Sequence, residues 1–130
     1  MKTLFLIFVL LQGPAEAGRV FHPYPISVIA SADPMHWKGH FLTHTQTEGF
    51  VTYKAHESDS DWHLRLCDSA GIRTMDKAHC IVLEIIPELP LPVPKLGAHI
   101  RARGIYRFDA ELPGHNWAEL HPLISWEAIE

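Results

Sequence analysis

No stretch of this chain is apolar for long enough to cross a membrane. Its longest apolar run, residues 4–11, is about half of what a bilayer requires. Nor is there a block of like charge. The 11 basic and 15 acidic residues are dispersed and leave a formal net charge of −4, which gives a polyanion little to hold. Internal repeats and glycine-rich phosphate loops are absent, and no serine, cysteine or lysine sits in a recognisable nucleophile motif. These absences argue against a P-loop or Rossmann nucleotide enzyme and against the familiar covalent hydrolases. Cysteine is scarce too. Cys67 and Cys80 are the only two, and they lie too far apart for a zinc-binding cysteine pair. One disulfide and two buried thiols are the alternatives.

What is present begins with an export pattern. Lys2 is a positive n-region, residues 4–11 an apolar core, and Ala15-Glu16-Ala17 a small-x-small cleavage site before Gly18. The expectation is a signal peptide over residues 1–17 and a periplasmic or extracellular protein. No cysteine follows the apolar run, so a lipoprotein anchor is not indicated. An oxidising compartment tips the two cysteines toward a disulfide. The mature chain has the length of a single domain with one modest core.

Residues 18–47 read as a short irregular leader. Prolines keep Phe21-His22-Pro23-Tyr24-Pro25 extended, and Asp33-Pro34 resembles a helix start. His36, His40 and His44 share one face whether the segment is helix or strand. With His22 they could scavenge zinc, copper or nickel, or they could simply form an exposed polar segment.

From about residue 48 the pattern is β. Strands are expected near residues 49–56, 61–67, 80–86, 98–109 and 117–129, the last interrupted near Pro122. Pairing the second and third antiparallel with Cys67 opposite Cys80 sets Leu66 against Ile81, Leu64 against Leu83 and Trp62 against Ile85. The other side then pairs His63 with Glu84 and Arg65 with Val82. One register thus yields an apolar face, a disulfide and a His/Glu pair. Four prolines between Pro87 and Pro94 make the next connection a stiff extended strap. Five strands, a meander of the first three and a long third connection predict an all-β chain. The expected domain, residues 48–130, is a small five-stranded OB-fold-like Greek-key barrel. Gly104 suits a tightly curved barrel strand.

Asp61-Trp62-His63-Leu64-Arg65-Leu66, Glu84-Ile85-Ile86-Pro87-Glu88 and His115-Asn116-Trp117-Ala118-Glu119-Leu120-His121-Pro122 also carry a resemblance. The chain looks like a group of small, often exported bacterial proteins with OB-like barrels and no established activity. The likeness covers about residues 49–128, and the closing His-x-Trp-x-Glu-x-His-Pro run is its most specific part. It implies a fold and a compartment but no reaction. The same barrel type occurs in secreted nucleases, whose metal ligands do not map onto this chain; that analogy is one of fold alone.

Chemistry has one principal candidate. His63 and Glu84 are cross-strand partners, and Glu119 and His121 share a strand face because they are two residues apart. Converged, these four could hold a divalent metal such as zinc, orient a water for hydrolysis, or form a structural hydrogen-bond network. Arg65, Asp109, His115 and Trp117 are candidates for a binding groove at the barrel mouth. Arg101, Arg103 and Arg107 with His99 form a basic stripe. With Tyr53 or Trp117 it could bind a nucleic-acid strand, or its charges could blunt an exposed sheet edge. The leading expectation is an exported, non-enzymatic binding module whose partner is an unknown ligand or an envelope protein. The alternatives are a metal-dependent phosphoesterase or nuclease and, less expected from the charge, a single-strand nucleic-acid binder.

Overall fold

The computed structural model describes residues 20–32, 43–110 and 116–130. The signal pattern at 1–17, the Asp33-Pro34 helix start, His36, His40 and His115 lie outside the described residues. In chain order the elements are β1 (His22–Pro23), α1 (Ile26–Ala30), β2 (His44–His56), β3 (Trp62–Cys67), β4 (Cys80–Ile85), β5 (His99–Asp109) and β6 (Trp117–Ala128). No helix among the described residues is long and apolar enough to cross a membrane.

The strands close into a barrel in the order β2-β3-β4-β6-β5, with β5 returning to β2 and β1 appended alongside β2. Within the barrel only β4 and β6 run parallel. The expected five-stranded OB-type barrel is therefore the observed one. Its β3–β4 register matches the expectation residue for residue, from Trp62 opposite Ile85 to Cys67 opposite Cys80. Period two explains this. Leu64 and Leu66 face inward with Leu83 and Ile81, all fully buried, so a one-residue slip would turn that apolar set outward. Cys67 and Cys80 are bonded, with their Cα atoms 4.1 Å apart.

The leader differs from its expected irregular form. β2 begins at His44, inside the segment assigned to the leader, and its first half pairs with β5. Ahead of it, Tyr24 N–H donates to the Gln46 carbonyl and the Thr47 hydroxyl donates to the Tyr24 carbonyl. These bonds steer α1 onto one end of the barrel. Its Ile26 and Ile29 are fully buried in the same core as Val51, Leu66 and Ile100. The sequence signal was weak because a helix of five residues shows too little periodicity to read.

β6 is continuous through Pro122 rather than interrupted, with a cis peptide bond between His121 and Pro122. An irregular register against β5 there accommodates the proline. Gly104 lies opposite. A Cβ on it would stand 2.8 Å from both Leu120 Cβ and the Pro122 carbonyl. Gly104→Ala should therefore destabilise the barrel by about 2 kcal/mol through overpacking, read as a lower urea midpoint at unchanged slope. The proline strap lies across the barrel as expected. Leu91 and Val93 pack on the core, and the Trp126 indole donates to the Pro92 carbonyl at 2.7 Å.

Candidate metal centre and binding groove

Period-two alternation puts His63 and Glu84 on the outer face of β3 and β4. The parallel β4–β6 pair sets Val82 beside Glu119 and Leu83 beside Leu120. One step further along, Glu84 meets His121. All four expected donors therefore converge, although two of them come from a strand distant in sequence.

Glu84 is 5% exposed and Glu119 is 1% exposed. The two oxygens of Glu84 point to different imidazoles. His63 Nε2 lies 2.8 Å from Oε1, and His121 Nδ1 lies 2.9 Å from Oε2. His121 Nδ1 is also 3.4 Å from Glu119 Oε1. The Trp117 indole donates to Glu119 Oε2 at 3.1 Å. Glu119 Oε1 receives no hydrogen bond from a fixed donor. Its nearest donors, His121 Nδ1 at 3.4 Å and Arg107 Nε at 3.6 Å, make no hydrogen bond to it, and a proton or a cation held between the two carboxylates would satisfy it. On the far side of His63, Nδ1 lies 3.6 Å from Glu57 Oε1. A carboxylate behind an imidazole in this way fixes its orientation.

The electrostatics follow from crowding two acids in a poorly solvated place. Burial, together with the proton shared with Glu84 and that neighbour's charge, pushes Glu119 up to about 8. Burial also pushes Glu84 upward, but hydrogen bonding with His63 and Glu119 and the imidazole charges outweigh it and bring Glu84 down to about 2. His63 is raised, chiefly by its hydrogen bond to Glu84, against the opposing effect of burial. Asp61 also belongs to this neighbourhood. Its carboxylate is raised by burial and by the charges of Asp59 and Glu84. Donor atoms of Asp61, His63 and Glu84 lie within 4.8 Å of one another, and so do those of Glu84, Glu119 and His121. Two imidazoles and several carboxylates form an N/O donor set suited to zinc.

Beside this centre runs a groove of about 270 Å³ lined by Tyr53, Glu57, His63, Arg65, Val82 and Trp117, with Leu64 and Met75 completing it. Arg65 is held rigidly. Its guanidinium donates to the Thr52 hydroxyl and carbonyl and to the Arg73 carbonyl, and it lies 5.4 Å from the centre of the Tyr53 ring. Of the residues expected in the groove, Arg65 and Trp117 line it. Asp109 instead ends β5 opposite Trp117, is 8% exposed, and adds its charge to those acting on Glu119.

The sequence reading missed Asp61, Glu57, Met75 and Val82. Asp61 carried a usable signal, since it stands two residues before His63 on one face. Met75 carried none, because it arrives on the long connection between β3 and β4.

The basic stripe does not act as one surface. Arg101 bridges Glu48 and Glu127 at 2.9 and 3.1 Å, and Arg103 bonds Glu127 and Gln46. His99 stacks on Phe50. Nor do these arginines blunt an edge, because β5 is paired on both sides. Arg107 stands apart, with Nε 3.6 Å from Glu119 Oε1 and Nη1 3.5 Å from His121 Nδ1.

Solved structures share the fold. An asparaginyl-tRNA synthetase of Entamoeba histolytica aligns at 12% identity with a TM-score of 0.55, covering 85% of this chain and 24% of that one. A putative aspartyl-tRNA synthetase of Leishmania major Friedlin aligns at 8% identity with a TM-score of 0.57, covering 98% and 25%. This chain thus spans about a quarter of the length of each synthetase, and the likeness is one of fold. No protein-family model and no curated protein matches the chain. Both structural neighbours are named for tRNA, so the expectation that sets nucleic acid aside as a partner has no support from the fold.

Proposed function

We propose that this protein is an exported, non-enzymatic binding module of the OB type that takes up a divalent cation such as zinc. His63, Glu84, Glu119 and His121 would hold the cation, and the groove of Tyr53, Arg65 and Trp117 would receive the ligand. One observation carries the reading: the buried Glu119 oxygen that accepts no hydrogen bond and faces the donors of Glu84 and His121, where a cation would satisfy it. The N/O donor chemistry and the Glu57 carboxylate behind His63 support it. Export is supported by the pattern at residues 1–17 and by the Cys67–Cys80 bond. The resemblance to small exported barrel proteins fits the same reading. A bound cation would neutralise the paired carboxylates and offer a Lewis-acidic position at the edge of the groove.

Calorimetric titration of zinc into chelator-treated protein tests this. Wild type should bind zinc, and His121→Ala should lose at least about tenfold in affinity while keeping its far-ultraviolet dichroism. A network that is only structural behaves differently. Wild-type melting would then be insensitive to chelator, and His121→Ala would cost about 1–3 kcal/mol without any metal dependence. That result rejects the reading.

A second reading is favoured by the groove itself. Half-exposed Tyr53, rigid Arg65 and Trp117 lie on the face that OB folds use for oligonucleotides. Fluorescence anisotropy with labelled single strands, with and without zinc, tests it. Turnover of a simple phosphodiester by the zinc-loaded protein would instead make the module a metal-dependent hydrolase.

A further inference from the structure

Glu84 is placed as a bridge. Its two oxygens point in different directions, each toward a separate imidazole that comes with a separate carboxylate. His63 stands at Oε1 and His121 at Oε2; Asp61 groups with His63 and Glu84, and Glu119 groups with His121 and Glu84. Each trio closes on itself within 4.8 Å, so a small inward movement of the side chains would bring each to metal-ligand distance. A single ion at one trio would leave the carboxylate of the other trio, Asp61 or Glu119, outside its coordination.

From this geometry we infer that the centre is dinuclear: two divalent cations, one held by Asp61, His63 and Glu84 and the other by Glu84, Glu119 and His121, share the Glu84 carboxylate. The inference rests on reading the cluster as a cation centre and adds its nuclearity and the role of Asp61. Bridged ions of this kind stand about 3.5–4 Å apart. Glu57, behind His63, orients the first position. Arg107, beside Glu119 and His121, places a positive charge at the rim of the second.

The test counts ions. Chelator-treated mature protein is reloaded with zinc alone and examined by native mass spectrometry, and with manganese alone and examined by electron paramagnetic resonance. Wild type should carry two zinc ions, and the manganese form should give the multiline spectrum of a spin-coupled pair. Asp61→Asn should fall to one ion with an isolated-manganese spectrum and an unchanged melting temperature without metal. Glu84→Gln should lose both ions. One ion in wild type, unchanged in Asp61→Asn, would overturn the dinuclear arrangement and leave the single-cation reading standing. No ion in wild type at millimolar metal would overturn both.

Discussion

The metal-free protein should melt at a clearly lower temperature at pH 8 than at pH 5, and zinc should narrow that gap by stabilising more at pH 8. The sign follows from three groups. Glu119 is raised to about 8 from an ordinary 4.5 by burial and by Glu84. Between those values the unfolded chain gives up its proton while the folded chain keeps it, so stability falls as pH rises. His63 is also raised, so its contribution is complete below its ordinary 6.5 and is lost as pH climbs through the folded value. Glu84 works in the opposite sense. Brought down to about 2, it stabilises above 4.5, and that contribution disappears as pH falls toward 2. Without metal, stability should therefore peak near pH 5 and decline on both sides. A cation needs Glu119 ionised and the imidazoles neutral, so it takes the proton's place and binds better as pH rises. At a hundredfold excess over its dissociation constant a ligand stabilises by about 2.7 kcal/mol, on the order of 10 °C for a domain of this size. Melting scans at pH 5, 6.5 and 8, with chelator and with zinc, check the prediction. A zinc effect larger at pH 5 than at pH 8 would contradict it.

Replacing Cys67 and Cys80 together by alanine should cost about 3 kcal/mol. The bond joins residues 13 apart in sequence, and closing a loop of that size restricts the unfolded chain by about that amount in the chain-entropy account. Urea unfolding of oxidised wild type and the double alanine variant measures it. The loss has a functional side. The closed connection carries Arg73, whose carbonyl anchors Arg65, and Met75, which lines the groove. Losing the bond should loosen that wall of the groove and weaken ligand binding. Zinc affinity should change much less, because the four donors are held by strand pairing and not by the loop.

The β3–β4 hairpin could be read from the sequence alone. Alternation fixes which side chains face inward, and only one register joins the cysteines while matching Leu64 with Leu83. His63 opposite Glu84 then followed without further information. The five strands were legible too, because their turns and prolines punctuate the chain. All four donors were legible as candidates, Glu119 and His121 as a same-face pair, but their meeting with His63 and Glu84 was not: it comes only through the parallel β4–β6 pair, which joins segments far apart in sequence and leaves no local trace. The same pair buries both glutamates side by side, and that burial turns two ordinary carboxylates into a proton-sharing couple. The helix Ile26–Ala30 was hidden for a related reason. Its place is set by the bare backbone at Gly49, where a Cβ would collide with the Ile26 side chain, and by the apolar core it covers. Sequence patterning thus determined the strands, the hairpin register and one donor pair, because these depend on neighbours a few residues away or on one clear alternation. Tertiary structure alone decided which donors meet, how deeply they are buried and which groove they border, because those depend on contacts between strands that no short-range pattern encodes.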